Sequence, residues 1–174
     1  MRVLVACEES QRVCTAFRER GHEADSCDIE ECSGGRPEWH IRADALELIK
    51  IKWDLIIAHP PCTKVSNAGA SHLWRGHQLN IERYYEGLCG KALFMAIWKA
   101  DCDKVVIENP IPSAVFDFPP HTQAIQPYEH GHPVSKKTLL WERGLPPLKP
   151  SCVVEPQANC HEAGTWFTKG GKQR

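Results

Sequence analysis

A chain of 174 residues is enough for one domain with a buried core. Its formal net charge of −1 lacks the basic excess with which tight, non-specific DNA binders neutralise phosphate, so any nucleic-acid contact must come from a local patch, or the substrate is small. No apolar run approaches membrane-spanning length, and Met1-Arg2-Val3-Leu4 opens into a strand rather than a signal peptide.

In chain order, Arg2 to Ala6 is predicted as the first, central strand. Ser10 is placed to N-cap a helix with Val13, Ala16 and Phe17 on one face, and Gly21 suits the left-handed residue that ends it. Glu23 to Asp28 alternates into a second strand, closing a strand–helix–strand unit. Glu30 to Pro37 is a loop by composition, His40 to Arg42 a short strand, and Asp44 opens a helical turn through Leu46 and Ile49. A long helix is expected over roughly Gln78 to Lys99, with Leu88, Ala92, Met95 and Ala96 as its apolar face. Asn109 to Pro120 reads as an irregular loop, Gln123 to Gln126 and Lys137 to Glu142 as further strands including an antiparallel edge, and the chain from Leu145 as extended. Alternating strands and helices make the class α/β with a mainly parallel sheet.

The nine cysteines, at 7, 14, 27, 32, 62, 89, 102, 152 and 160, include no Cys-x-x-Cys pair. That pattern fits reduced thiols in a cytoplasmic enzyme, not a disulfide framework. Cys152, Cys160 and His161, with Cys27, Cys32 and His40, show no usual zinc-finger spacing, so no metal site is expected.

Two strand ends carry the chemistry. Leu55 to Ala58 is a short apolar run of the kind buried on both faces, and it stops at His59-Pro60-Pro61-Cys62. Lys104 to Ile107 repeats the design and stops at Glu108-Asn109-Pro110. In an open α/β sheet, ligands bind at the carboxyl ends of the strands. Cys62 is therefore a candidate nucleophile on a stiff turn, or else a thiol packed under a loop. Glu108 is its candidate acid, or else a surface carboxylate.

Pro60-Pro61-Cys62 with Ser66 and Ala68-Gly69, followed by Glu108-Asn109, resembles the paired catalytic motifs of the DNA cytosine-5 methyltransferases. Here Pro110 stands where that family has valine. More narrowly, the chain from Arg2 to about Pro147 is similar to short phage and prophage proteins of that kind. The resemblance implies a single-domain, Rossmann-like class I methyltransferase fold. Residues 1–150 would be the catalytic domain and 151–174 an extended tail, with no separate target-recognition domain.

It also implies S-adenosylmethionine as cofactor, bound by Cys7, Glu8, Ser10, Asp28, Ile29, Asp44 and Pro60. Asp28 would accept hydrogen bonds from the ribose and Asp44 from the adenine amino group, although either acid could instead N-cap a helix. Many relatives have a glycine-rich turn after the first strand, whereas this chain has no glycine between Cys7 and Arg20. Glu8 and Glu9 could there be a solvated helix start.

Cys62 would add to C6 of cytosine and Glu108 would protonate N3, a role that burial would favour by raising its pKa. His59, Ser66, Asn67, Asn109, Lys136 and Lys137 would touch the substrate, although the two lysines could equally belong to a solvated hairpin turn. That substrate is DNA, bound weakly and with little specificity, or a free cytosine nucleotide. A non-catalytic binding module with the same fold is the alternative from another class. Amino-group methylation fits worse, because it needs an acid or asparagine before Pro-Pro and an aromatic after it, where this chain has His59 and Cys62.

Overall fold

The computed structural model describes residues 1–159. The main sheet has seven strands: β1 (Arg2–Ala6), β2 (Glu23–Asp28), β3 (His40–Arg42), β4 (Leu55–Ala58), β5 (Val105–Asn109), β6 (Gln123–Ile125) and β7 (Thr138–Arg143). Their order is β3-β2-β1-β4-β5-β7-β6. The first five run parallel, while β7 is antiparallel to both β5 and β6. The reversed strand thus lies on the expected side of the sheet, one position in from its edge.

Continuous apolar runs explain which strands are central. Val3 to Ala6 is fully buried, and its neighbours contribute Ile56, Ala58, Val105 and Ile107, all at 0% exposure. On one face Leu4, Ala6, Ile56 and Ile107 pack with Phe94, Ile97 and Trp141; on the other, Val3, Val5 and Leu55 pack with Cys14 and Ala24. Phe94 meets Trp141 edge to face at 5.0 Å, and the indole N–H donates to Pro119 O at 2.8 Å.

Three α-helices cross between strands: α1 (Arg12–Arg18), α2 (Ala45–Leu48) and α3 (Ile81–Trp98). Asp44 N-caps α2 and Asn80 N-caps α3. Ser10 does not cap α1. Its N-cap is Gln11, and the first backbone N–H groups are instead taken by the Glu8 carboxylate, from Val13 at 2.6 Å and Cys14 at 3.1 Å. Glu8 is buried, not solvated.

α3 also starts later than expected, because Gln78–Leu79 pairs with Trp74–Arg75 in a small hairpin. Its buried residues are Gly87, Phe94 and Ile97, so Leu88 and Ala92 face solvent. The reason is Gly87, which no apolar pattern marks as a contact. A Cβ there would lie 2.2 Å from Phe116 Cζ, so the aromatic ring uses the space that glycine leaves.

The tail is less extended than expected. Ala158–Asn159 pairs with Val134–Ser135, and Ser151 and Cys152 both donate to Glu129 O. Cys160 and His161 lie outside the described residues. Among the described residues there is no His, Cys, Asp or Glu group able to hold a metal, and no helix long and apolar enough to cross a membrane.

Candidate active site

β4 and β5 are parallel neighbours, with Ala58 opposite Ile107. The next residues, His59 and Glu108, therefore leave the sheet side by side. His59 Nδ1 lies 3.5 Å from Glu108 Oε2, with both side chains under a third exposed. The loops beyond are joined through their backbones: Asn67 donates to Ile111 O and Ser113 to Val65 O, both at 2.8 Å, and Ser66 forms a bridge with Pro112. Ser66 N–H also returns to Cys62 O at 2.8 Å. The loop carrying Cys62 is thus tied to the loop that follows Glu108. Ser66 and Asn67 contribute this stitching with their main chains, and the Asn67 side chain is exposed.

Cys62 is half-buried. Burial pushes its thiol above the usual range, the Glu108 charge pushes it further, and Lys136 pulls it partly back. Glu108 departs from expectation. Burial alone would raise its pKa, but the His59 hydrogen bond and charge, with Lys136, outweigh burial and hold the carboxyl below its ordinary value. Glu108 is therefore an anion in the free site near neutral pH. Asn109 is buried, its Oδ1 without a hydrogen-bond partner among the described residues. Lys136 acts on Cys62 and Glu108, whereas Lys137 lines a cavity of about 380 Å³ with Ile111, His121 and Trp141.

At the same edge, beyond β1 to β3, a cavity of about 260 Å³ is lined by Cys7, Asp28, Ile29, Glu30, Ala43, Asp44, Ala45, Pro61 and Leu93. Asp28 Oδ1 accepts from Glu30 N–H at 3.0 Å and Asp44 Oδ1 from Leu46 N–H at 2.9 Å. Each carboxylate keeps a second oxygen for a ligand. Glu8, Ser10 and Pro60 are not among the lining residues; Glu8 caps α1, and Pro61 takes the place expected for Pro60. Sequence reading missed Ala43 and Ala45, which flank Asp44, and Leu93, which α3 brings in from a distance. Cys7 is pushed up to about 12 by burial first, then by Asp28, Cys27 and Asp44, so it stays a thiol.

The turn after β1 works without glycine. Cys7 and Gln11 adopt positive φ, at 58° and 57°, which glycine ordinarily supplies. The loop from Glu30 to Arg36 holds this strained turn. Ser33 N–H donates to Glu9 O at 2.8 Å, and its hydroxyl meets the Glu9 carboxylate. Gly34 approaches so closely that a Cβ would stand 2.6 Å from Ser10 O. Apolar walls, two carboxylates with an oxygen to spare and a backbone turn beside them fit an adenosine-type cofactor.

No protein-family model matches the chain, and no curated protein matches it. Among solved structures, it is similar to a protein assigned as a DNA modification methyltransferase encoded within a prophage of E. coli. The identity is 12% and the TM-score 0.51, over 89% of this chain and 52% of that one. This chain spans about half the length of that protein. At such identity the likeness speaks for architecture alone, and it agrees with the strand order: the chain has a Rossmann-like α/β fold with a mainly parallel sheet and a reversed strand near one edge.

Proposed function

We propose that the chain is an S-adenosylmethionine-dependent methyltransferase acting on C5 of cytosine in DNA. The observation that carries this reading is the pairing of Cys62 and Glu108 at adjacent strand ends, on loops tied to each other, beside the cavity of Asp28 and Asp44. In this reading residues 1–150 are the catalytic domain and 151–174 a tail. Asp28 and Asp44 hold the cofactor, and Ile29, Ala43, Ala45 and Leu93 enclose it. When bound, the cofactor supplies the methyl group.

The protein's own groups do the rest. C5 of cytosine is a poor nucleophile until something adds at C6. A thiolate suits that task, because it is strongly nucleophilic and can leave again. Cys62 sulfur bonds to C6, a proton reaches N3 by way of Glu108, and loss of the C5 proton later releases Cys62. A base inside a duplex hides C6, so a DNA substrate must be flipped out or single-stranded.

The test uses an oligonucleotide containing 5-fluorocytosine, whose C5 fluorine cannot leave as a proton. With cofactor present, a covalent adduct on Cys62 is expected by mass spectrometry. No adduct from a protein that binds S-adenosylhomocysteine would refute the cytosine-C5 assignment. A parallel arm with 5-fluoro-dCMP distinguishes DNA from free nucleotide.

A further inference from the structure

Glu108 is an anion in the free site, so it has no proton of its own to deliver. The neighbour placed to supply one is His59, whose Nδ1 is 3.5 Å from Glu108 Oε2. The His59 ring is held in a costly position, with Nε2 buried and without a hydrogen-bond partner among the described residues. The charged groups around this pair come from each packed element. Glu8 acts on His59 from the turn after β1, its carboxylate engaged by Val13 and Cys14. Lys136, ahead of β7, acts on both Glu108 and Cys62.

We propose that His59 is the positioning residue for Glu108: it orients the carboxylate and passes it the proton that Glu108 gives to cytosine N3. This rests on the cytosine reading above. With His59 as the imidazolium, its Nδ1 proton moves to Glu108 Oε2, leaving a neutral imidazole, and on to N3 as Cys62 thiolate bonds to C6. The C5=C6 pair shifts to C4–C5, and the C4=N3 pair takes the proton. After C5 is methylated, water takes the C5 proton as C5=C6 re-forms and the sulfur departs as thiolate, and N3 returns its proton through Glu108 to His59.

His59→Gln keeps a hydrogen-bond donor but cannot carry the proton, and His59→Ala removes both. Two readouts are needed: the Glu108 carboxyl titration by carbon-13 NMR, and the pH–rate profile of methyl transfer. His59→Gln should raise the Glu108 midpoint and slow methyl transfer by about tenfold or more. Binding of S-adenosylhomocysteine should be unchanged. Added imidazole should restore part of the rate to His59→Ala. If wild-type protein modifies no cytosine while His59→Gln still raises the Glu108 midpoint, the coupled pair stands and the cytosine reading falls. A wild-type rate and pH profile in His59→Gln overturns the proposal.

Discussion

The Gln11 side-chain amide pairs with the main chain of Arg36 as one strand pairs with another: Nε2 donates to Arg36 O at 2.7 Å, and Oε1 accepts from Arg36 N–H at 3.0 Å. Gln11 is 1% exposed and sits at positive φ. This contact holds the loop after β2 against the turn after β1, and that turn borders the Asp28 cavity. Gln11→Ala leaves both Arg36 groups unpaired and should destabilise the fold by about 2 kcal/mol, the scale of two such bonds. Chemical denaturation measures the loss. S-adenosylhomocysteine affinity should fall with it, since the turn loses its clamp.

Most of the architecture was legible because burial writes itself into composition. Val3 to Ala6, Leu55 to Ala58 and Val105 to Ile107 are apolar without interruption, as doubly covered parallel strands must be. The two strand-end motifs were legible for the same reason, since each follows directly on such a run. What stayed hidden depends on partners distant in sequence. The buried face of α3 turns on Gly87 meeting Phe116, and glycine carries no apolar signal. The sign of the Glu108 shift turns on His59 and Lys136, which lie 49 residues before it and on the approach to β7. The glycine-free turn depends on Gln11 reaching across to Arg36.

Gly87→Ala tests the α3 contact. A Cβ at that position would stand 2.2 Å and 2.4 Å from two Phe116 ring atoms, so the ring or the helix must shift. Overpacking of this kind costs about 1–3 kcal/mol, or a fall of roughly 4–8 °C in Tm for about 2 kcal/mol. Phe116→Leu in the Gly87→Ala background should recover part of the loss, and thermal melts of the three variants check it.

Asp28→Ala tests whether the cavity at Asp28 holds the proposed cofactor. The carboxylate already holds Glu30 N–H at 3.0 Å, which fixes its orientation and leaves one oxygen for a ribose hydroxyl. A hydrogen bond to a charged group is worth about 1.5–3 kcal/mol, so S-adenosylhomocysteine should bind roughly tenfold or more weakly. Calorimetry measures it. Unchanged affinity would move the cofactor away from this cavity.

With a formal net charge of −1, the chain should bind duplex DNA weakly on its own, with affinity that falls steeply as salt rises and little sequence preference. Fluorescence anisotropy on several unrelated duplexes, across a salt series, measures this. A footprint on one short sequence at physiological salt would contradict it.

Glu108→Gln separates the effect of Glu108 on the Cys62 thiol from its proposed effect on the substrate. As an anion nearby, Glu108 raises the thiol pKa and so keeps sulfur protonated in the free site; Lys136 acts in the opposite direction. Removing the negative charge in Glu108→Gln should lower the Cys62 pKa, so iodoacetamide should alkylate Cys62 faster at a given pH, with its pH profile shifted to the acid side. Lys136→Gln should do the reverse, slowing alkylation and moving the profile to the alkaline side. Methyl transfer should respond differently. Glu108→Gln cannot relay a proton to N3, so turnover should fall by roughly a hundredfold even as the thiol becomes more reactive. Cys62→Ser should abolish covalent trapping, because a serine hydroxyl is scarcely ionised near neutral pH. Opposite signs for alkylation and methylation in Glu108→Gln identify Glu108 as a proton donor to the substrate, whereas a parallel loss of both would mean that it merely supports the loop.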